Sequence, residues 1–128
     1  MKTRNGFISN SSSSSFIVDS DFDDEAEVVR IMELILYAYN AIFDGSLSTN
    51  VSTNQSDAPN VCGGVYKVYR FDVNNDNNLR YTIENEGIHG ADEYQNRIVI
   101  ESVDDNSIPY EIFSIIEYRF NARRYYGG

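Results

Sequence analysis

Cysteine, positive charge and long apolar runs are all scarce in this chain, and each scarcity removes a class of function. The single cysteine, Cys62, cannot close an internal disulfide, so a reducing compartment is the simplest setting. Lys2 and Arg4 are followed by serines where a secretory leader needs a continuous apolar stretch, and no apolar run approaches the length of a membrane span. The chain is therefore expected to be unprocessed, off the membrane and cytoplasmic. In that setting the glycosylation triplets at Asn10, Asn50 and Asn54 are chance matches in polar loops. Only 10 basic residues face 20 acidic ones, and the resulting formal charge of -10 repels DNA, RNA and anionic lipid. Direct nucleic-acid binding is disfavoured, and the complementary partner is a protein with a basic surface.

What the chain does contain is enough apolar material for one core. Its 128 residues are the size of a single compact domain, and 41% hydrophobic residues with 10 Tyr and 7 Phe separate it from disordered sequences. Asp19, Asp21, Asp23, Asp24, Glu25 and Glu27 form an acidic run before a segment whose Val28, Ile31, Met32, Ile35, Tyr39 and Ile42 recur at helical spacing. The pattern predicts a helix over Glu25 to Phe43, stopped by Asp44-Gly45. Residues 45 to 59 have loop composition. Val65 to Val73 and Leu79 to Glu84 are rich in β-branched and aromatic residues around Asn74-Asn-Asp-Asn-Asn78, which predicts a hairpin. A third strand is expected over Arg97 to Val103, and Ser107-Ile-Pro109 opens a final helical pattern on Ile112, Phe113, Ile116 and Phe120, for which a strand is the competitor. The expected fold is α+β: a small antiparallel sheet of about three strands with two helices packed on one face, the other face wet or meeting a partner.

Residues 1 to 18 read as a Ser-rich arm preceding a single domain over 19 to 128, with Phe7-Ile8 and Phe16-Ile17-Val18 able to clip the arm on as a strand or edge segment. The block Arg4-Asn-Gly-Phe-Ile-Ser-Asn-Ser-Ser-Ser-Ser-Ser-Phe-Ile-Val18 resembles an N-terminal signature of otherwise dissimilar small proteins of tailed bacteriophages and some bacteria. The resemblance covers residues 4 to 18 alone. It implies a phage-borne origin and carries no activity, fold or site residues with it.

Several constellations carry possible chemistry. Ser11, Ser12, Ser13, Ser14 and Ser15 could accept a hydroxyl-linked modification or serve as a docking peptide, although flexible-arm composition explains them equally. Arg119, Arg123 and Arg124 fall where cations favour a helix C-terminus, and could form a small anion patch. Asp72, Asn74, Asp76 and Asn78 alternate like the start of a calcium loop. The pattern then fails, with Asn77 where that loop needs glycine and Ile83 where it needs a bidentate Glu, so a polar turn is the better reading. Cys62-Gly63-Gly64 with a distant His89 outlines a thiol nucleophile and base, but nothing in the sequence makes them meet. The terminal Gly127-Gly128 has the form of a conjugation tail without the matching element order.

No phosphate-binding glycine loop, zinc ligand set, catalytic triad or dinucleotide fingerprint appears, so no cofactor, metal or enzymatic role is expected. The expectation is a phage accessory protein that binds and inhibits or redirects a host protein complex, with the acidic residues 19 to 27 imitating phosphate charge before a basic groove. A virion component assembled through the arm is the alternative, and a sponge for a signalling nucleotide a further one. The oligomeric state is open on sequence grounds.

Overall fold

The computed structural model describes residues 14–53, 66–102 and 109–126. Their order is β1 (Ser14–Ile17), α1 (Glu25–Phe43), β2 (Val51–Ser52), β3 (Tyr66–Arg70), α2 (Asn77–Glu86), a short 3-10 helix (Ala91–Tyr94), β4 (Ile98–Ser102), α3 (Tyr110–Arg119) and β5 (Arg123–Tyr126). The five strands form one mixed sheet in the order β2-β3-β4-β1-β5, with β2 parallel to β3 and all other neighbours antiparallel. The fold is α+β as expected. The sheet is larger than expected: β3 and β4 are the two expected strands that form, and β1, β2 and β5 complete the five.

Strand alternation divides the core in two. Phe16 on β1, Tyr66 and Val68 on β3, and Ile98 and Ile100 on β4 point to one face. There they pack with Val28, Ile31, Met32 and Leu36 of α1 and Ile112, Phe113 and Ile116 of α3. The expectation that the first and last helices share a face holds. The opposite face is not left wet: Ile17, Tyr69, Val99 and Tyr125 pack there beneath Leu79 and Ile83 of α2 and Ala91 and Tyr94 of the 3-10 helix. The sheet is therefore covered by helices on both sides.

α2 replaces the second arm of the expected hairpin. Leu-Arg-Tyr-Thr-Ile-Glu has strand-like composition, but its Leu79 and Ile83 stand one helical turn apart and are the two residues that α2 buries. The decisive signals are at its ends. Asp76 accepts the Leu79 amide at 3.1 Å, as an N-capping carboxylate does, and Gly87 ends the helix in the left-handed region at φ 76°. The Asn-rich segment before it is a tight turn, with the Asn75 and Asp76 amides both donating to the Asp72 carbonyl.

Of the two expectations for the end of the arm, β1 bears out the strand and not the edge segment. Ser14 to Ile17 pair with β4 on one side and β5 on the other, so this segment is an interior strand, not an edge clip. Phe16 is completely buried, with its ring centroid 5.5 Å from that of Phe113. α1 is as expected, from the Asp24 cap, which accepts the Ala26 amide at 3.0 Å, to left-handed Asp44 at φ 52°. Asn40 then clamps the chain after the helix, donating to the Leu47 carbonyl and accepting its amide, both at 2.9 Å. A Cβ on Gly45 would come within 2.8 Å of Asn40 Oδ1, so glycine leaves room for that clamp.

Candidate binding surfaces

The six carboxylates of residues 19–27 are gathered where β1 leads into α1, and they are not equivalent. Asp19 folds back on the chain, with Oδ1 accepting the Asp21 amide at 3.0 Å and Oδ2 accepting Asn121 Nδ2 at 2.6 Å. Those two donors hold the Asp19 carboxyl below its ordinary range, the Asp21 amide contributing most. Arg70 at the end of β3 grips the next turn. Its Nη1 donates to Asp23 Oδ1 at 3.0 Å, its Nη2 donates to the Asp23 carbonyl at 2.6 Å, and its Nε lies 3.7 Å from Glu25 Oε2. Asp24 is spent on the helix cap. Asp21 and Glu27 are exposed and project from this fixed frame. The run is thus an ordered ridge on a turn and a helix end, with the Arg70 guanidinium set against it.

The expected anion patch does not assemble in the way the helical reading required. Arg119 is in the last turn of α3, but Arg123 and Arg124 are on β5, where neighbouring residues face opposite sides of the sheet. Arg119 stacks over Phe22 at 5.4 Å and Arg124 over Phe113 at 4.9 Å, while Arg123 Nε donates to Tyr125 Oη at 2.8 Å on the other face. Each guanidinium covers an aromatic ring of the fold itself.

Of the serine run, Ser14 is fully buried and Ser15 is half-buried within β1, and both backbone edges of that strand are paired, which leaves a docking partner no free strand edge there. Ser11, Ser12 and Ser13 lie outside the described residues, as do Cys62 and the terminal Gly127-Gly128. His89 is half-exposed, with Nδ1 3.5 Å from Glu93 Oε1 and its ring edge-on to Tyr94. The calcium-like carboxylates are turned to local work: Asp72 accepts the Asn74 amide at 3.1 Å, and Asp76 caps α2 while accepting the Tyr69 hydroxyl at 3.1 Å. No group of three or more His, Cys, Asp or Glu is placed to hold a metal ion among the described residues.

The structure also brings together a set that sequence patterning did not mark. On the α2 face of the sheet, Lys67 Nζ lies 3.6 Å from Glu101 Oε1, with the cross-strand register pairing Lys67 with Glu101 and Glu101 with Ser15. Burial raises the Glu101 carboxyl despite the ammonium beside it, and burial next to Glu101 and Asp76 raises the Tyr69 phenol strongly. Further along the same face, Tyr94 and Tyr125 share a hydrogen bond of 3.1 Å between their hydroxyls, and burial with that bond pushes the Tyr94 phenol up to about 12. The one available signal was alternation: Lys67 and Glu101 sit at inward positions of strands otherwise filled by Tyr69, Phe71 and Val99.

Apolar side chains are also left outside. Leu34, Tyr37 and Ile42 on α1 and Tyr118 on α3 are exposed, Tyr118 by 91%. Among the described residues no helix is long and apolar enough to cross a membrane. Comparison with family models, with curated proteins and with solved structures returned no match.

Proposed function

We propose that this chain is a binding protein of the phage accessory kind, which docks its acidic ridge on a basic patch of a host protein and thereby inhibits or redirects it. The observation that supports this reading is the fixed frame of the ridge. Asp19, Asp23, Asp24 and Glu25 are tied to Asn121, Arg70 and the first turn of α1, so the exposed Asp21 and Glu27 are presented without further ordering. A pre-ordered surface gives up less side-chain entropy on docking than a floppy acidic tail would. Because the carboxylates occupy a turn and a helix end, the ridge offers charge complementarity and steering, not the regular spacing of a phosphate backbone.

The assembly and nucleotide readings have less behind them. β1 uses both of its edges within the chain, so an arm that invades a neighbouring subunit cannot include Ser14 to Ile17. A nucleotide sponge needs cations that converge, whereas Arg119, Arg123 and Arg124 stack on separate rings.

The test is capture of host proteins from bacterial lysate by the tagged wild-type chain and by an Asp21→Asn/Glu27→Gln variant, read by mass spectrometry. Neither residue holds the ridge together, so the variant keeps the fold. The proposal expects a host protein retained by the wild type and lost by the variant. An identical set of captured proteins would remove the ridge from the function.

A further inference from the structure

The β5 side of the sheet carries a second surface, separate from the ridge. β5 is the last strand in the order, bonded to β1 on one side, and among the described residues no strand pairs with its outer edge. Alternate residues of an antiparallel strand turn N–H and C=O away from their neighbour, so part of the β5 main chain faces outward, ready for a further strand. Proteins often blunt such an edge by standing charged side chains over it. The two arginines of β5 are placed otherwise. Arg124 leans inward over β1 and α3, its guanidinium 5.9 Å from the ring of its cross-strand partner Phe16 and 4.9 Å from that of Phe113. Arg123 lies along its own strand, 5.4 Å over the Tyr125 ring, with Nε donating to Tyr125 Oη at 2.8 Å. Rings of the fold thus hold one half-buried arginine on each face of the sheet beside the edge.

We infer that β5 takes up an extended segment of another protein as a further antiparallel strand, and that this segment carries two successive carboxylate residues opposite Arg123 and Arg124. The edge specifies the backbone, and the arginines specify the charge. Successive residues of the added strand face opposite sides, so one carboxylate comes to each guanidinium, at the roughly 5 Å of a directly opposed pair. Arg123 has one carboxylate near it already, with Glu86 Oε1 4.0 Å from Nη2, and its side chain stays 39% exposed, open to a second. A second β5 is a poorer occupant, since it brings four guanidiniums to one seam. The net charge of -10 repels acidic segments from afar, but salt screens it beyond about 8 Å, while the opposed pairs are in contact. This edge and the ridge therefore select partners of opposite charge.

The main-chain bonds that a strand of 4 residues can add are few, so a short peptide should dissociate at about 0.1–1 mM. The probe is a blocked peptide of Thr and Val around a central Glu-Glu pair, titrated to about 5 mM into the isotope-labelled intact chain at about 150 mM salt. NMR should show saturable shifts on the β5 amides and slower hydrogen exchange at those that face outward. Two control peptides use the same wild-type chain. One carries Lys-Lys in place of Glu-Glu, and the other keeps Glu-Glu but is N-methylated along its centre, so that it cannot bond to an edge. Each should bind at least about 10-fold more weakly. An Arg123→Gln/Arg124→Gln variant that keeps the wild-type helix signal should bind the Glu-Glu peptide about 5- to 10-fold more weakly. Absence of saturable shifts at β5 up to about 5 mM overturns the inference, as does equal binding of the Lys-Lys peptide. Equal binding of the N-methylated peptide overturns it too, since charge would then act without an added strand. The Asp21→Asn/Glu27→Gln variant should bind the probe as the wild type does, so the ridge proposal stands or falls separately.

Discussion

The two halves of α1 are made of opposite materials and put their side chains to opposite uses. The first half and the turn that leads into it carry six carboxylates, and four of them work inside the molecule, as a turn, a cap and a pair of ligands for Arg70. Its charge looks like a recognition signal in the sequence, yet most of it is structural. The second half has no charge and reads as core, yet Leu34, Tyr37 and Ile42 are exposed among the described residues. Charge does not by itself mark the surface that meets a partner, nor apolarity the surface that is buried; the partners of each side chain decide both.

That contrast can be broken at several points. The largest effect is expected for Leu36→Ala, whose side chain is fully buried on the inward side and should cost about 2–5 kcal/mol, whereas Leu34→Ala two residues earlier should stay within about 0.5 kcal/mol. Chemical denaturation of both variants checks the pair. Next comes Lys67→Met, which leaves Glu101 half-buried without its cation and should cost about 1–3 kcal/mol at neutral pH. The sign with pH follows from the raised Glu101 carboxyl. The folded state favours the protonated form, so that penalty should shrink as pH falls below the ordinary carboxylate range and Glu101 becomes neutral. Asp24→Ala removes the cap of α1 and should cost about 1 kcal/mol in the same denaturation assay. Asp21→Asn, with no side-chain partner to lose among the described residues, should be nearly neutral.

Titration separates the carboxylates further. Asp19 is held below its ordinary range, so its contribution to stability is present above the pH at which an unfolded Asp ionises and is lost as pH falls through the lower folded value. Glu101 runs the other way, contributing at low pH and losing that contribution as pH rises through its elevated folded value. NMR titration of the two carboxyls should show midpoints displaced in opposite directions. Coincident midpoints at ordinary values would show that neither contact persists in solution.

Much of the α1 and α3 face was legible because its signals are local. Val28, Ile31 and Met32 of the expected helical set are buried, with Ile35 and Tyr39 half-buried beside them and Ile42 alone of that set exposed, Asp24 caps and Asp44 stops, and Ile112, Phe113 and Ile116 repeat behind Pro109. The α2 face was not legible, since Tyr81, Thr82 and Ile83 have strand chemistry and only the Asp76 cap and the Leu79–Ile83 spacing disclose a helix. β5 was hidden by its neighbour. Arg123, Arg124, Tyr125 and Tyr126 continue the polar and aromatic character of α3, and the break between them is left-handed Asn121 at φ 46°, whose side chain also reaches Asp19. The ridge was legible as composition but not as geometry, because Arg70 and Asn121 arrive from 47 and 102 residues away.

The most direct test of the ridge is the salt dependence of binding to the host protein that it captures, measured for the wild-type chain and for the Asp21→Asn/Glu27→Gln variant between about 50 and 500 mM salt. Docking through the ridge predicts affinity that falls steeply with salt for the wild type, and a weaker affinity with a flatter dependence for the variant. Equal affinities with equal salt dependence would contradict it and leave the acidic run with no role beyond the fold.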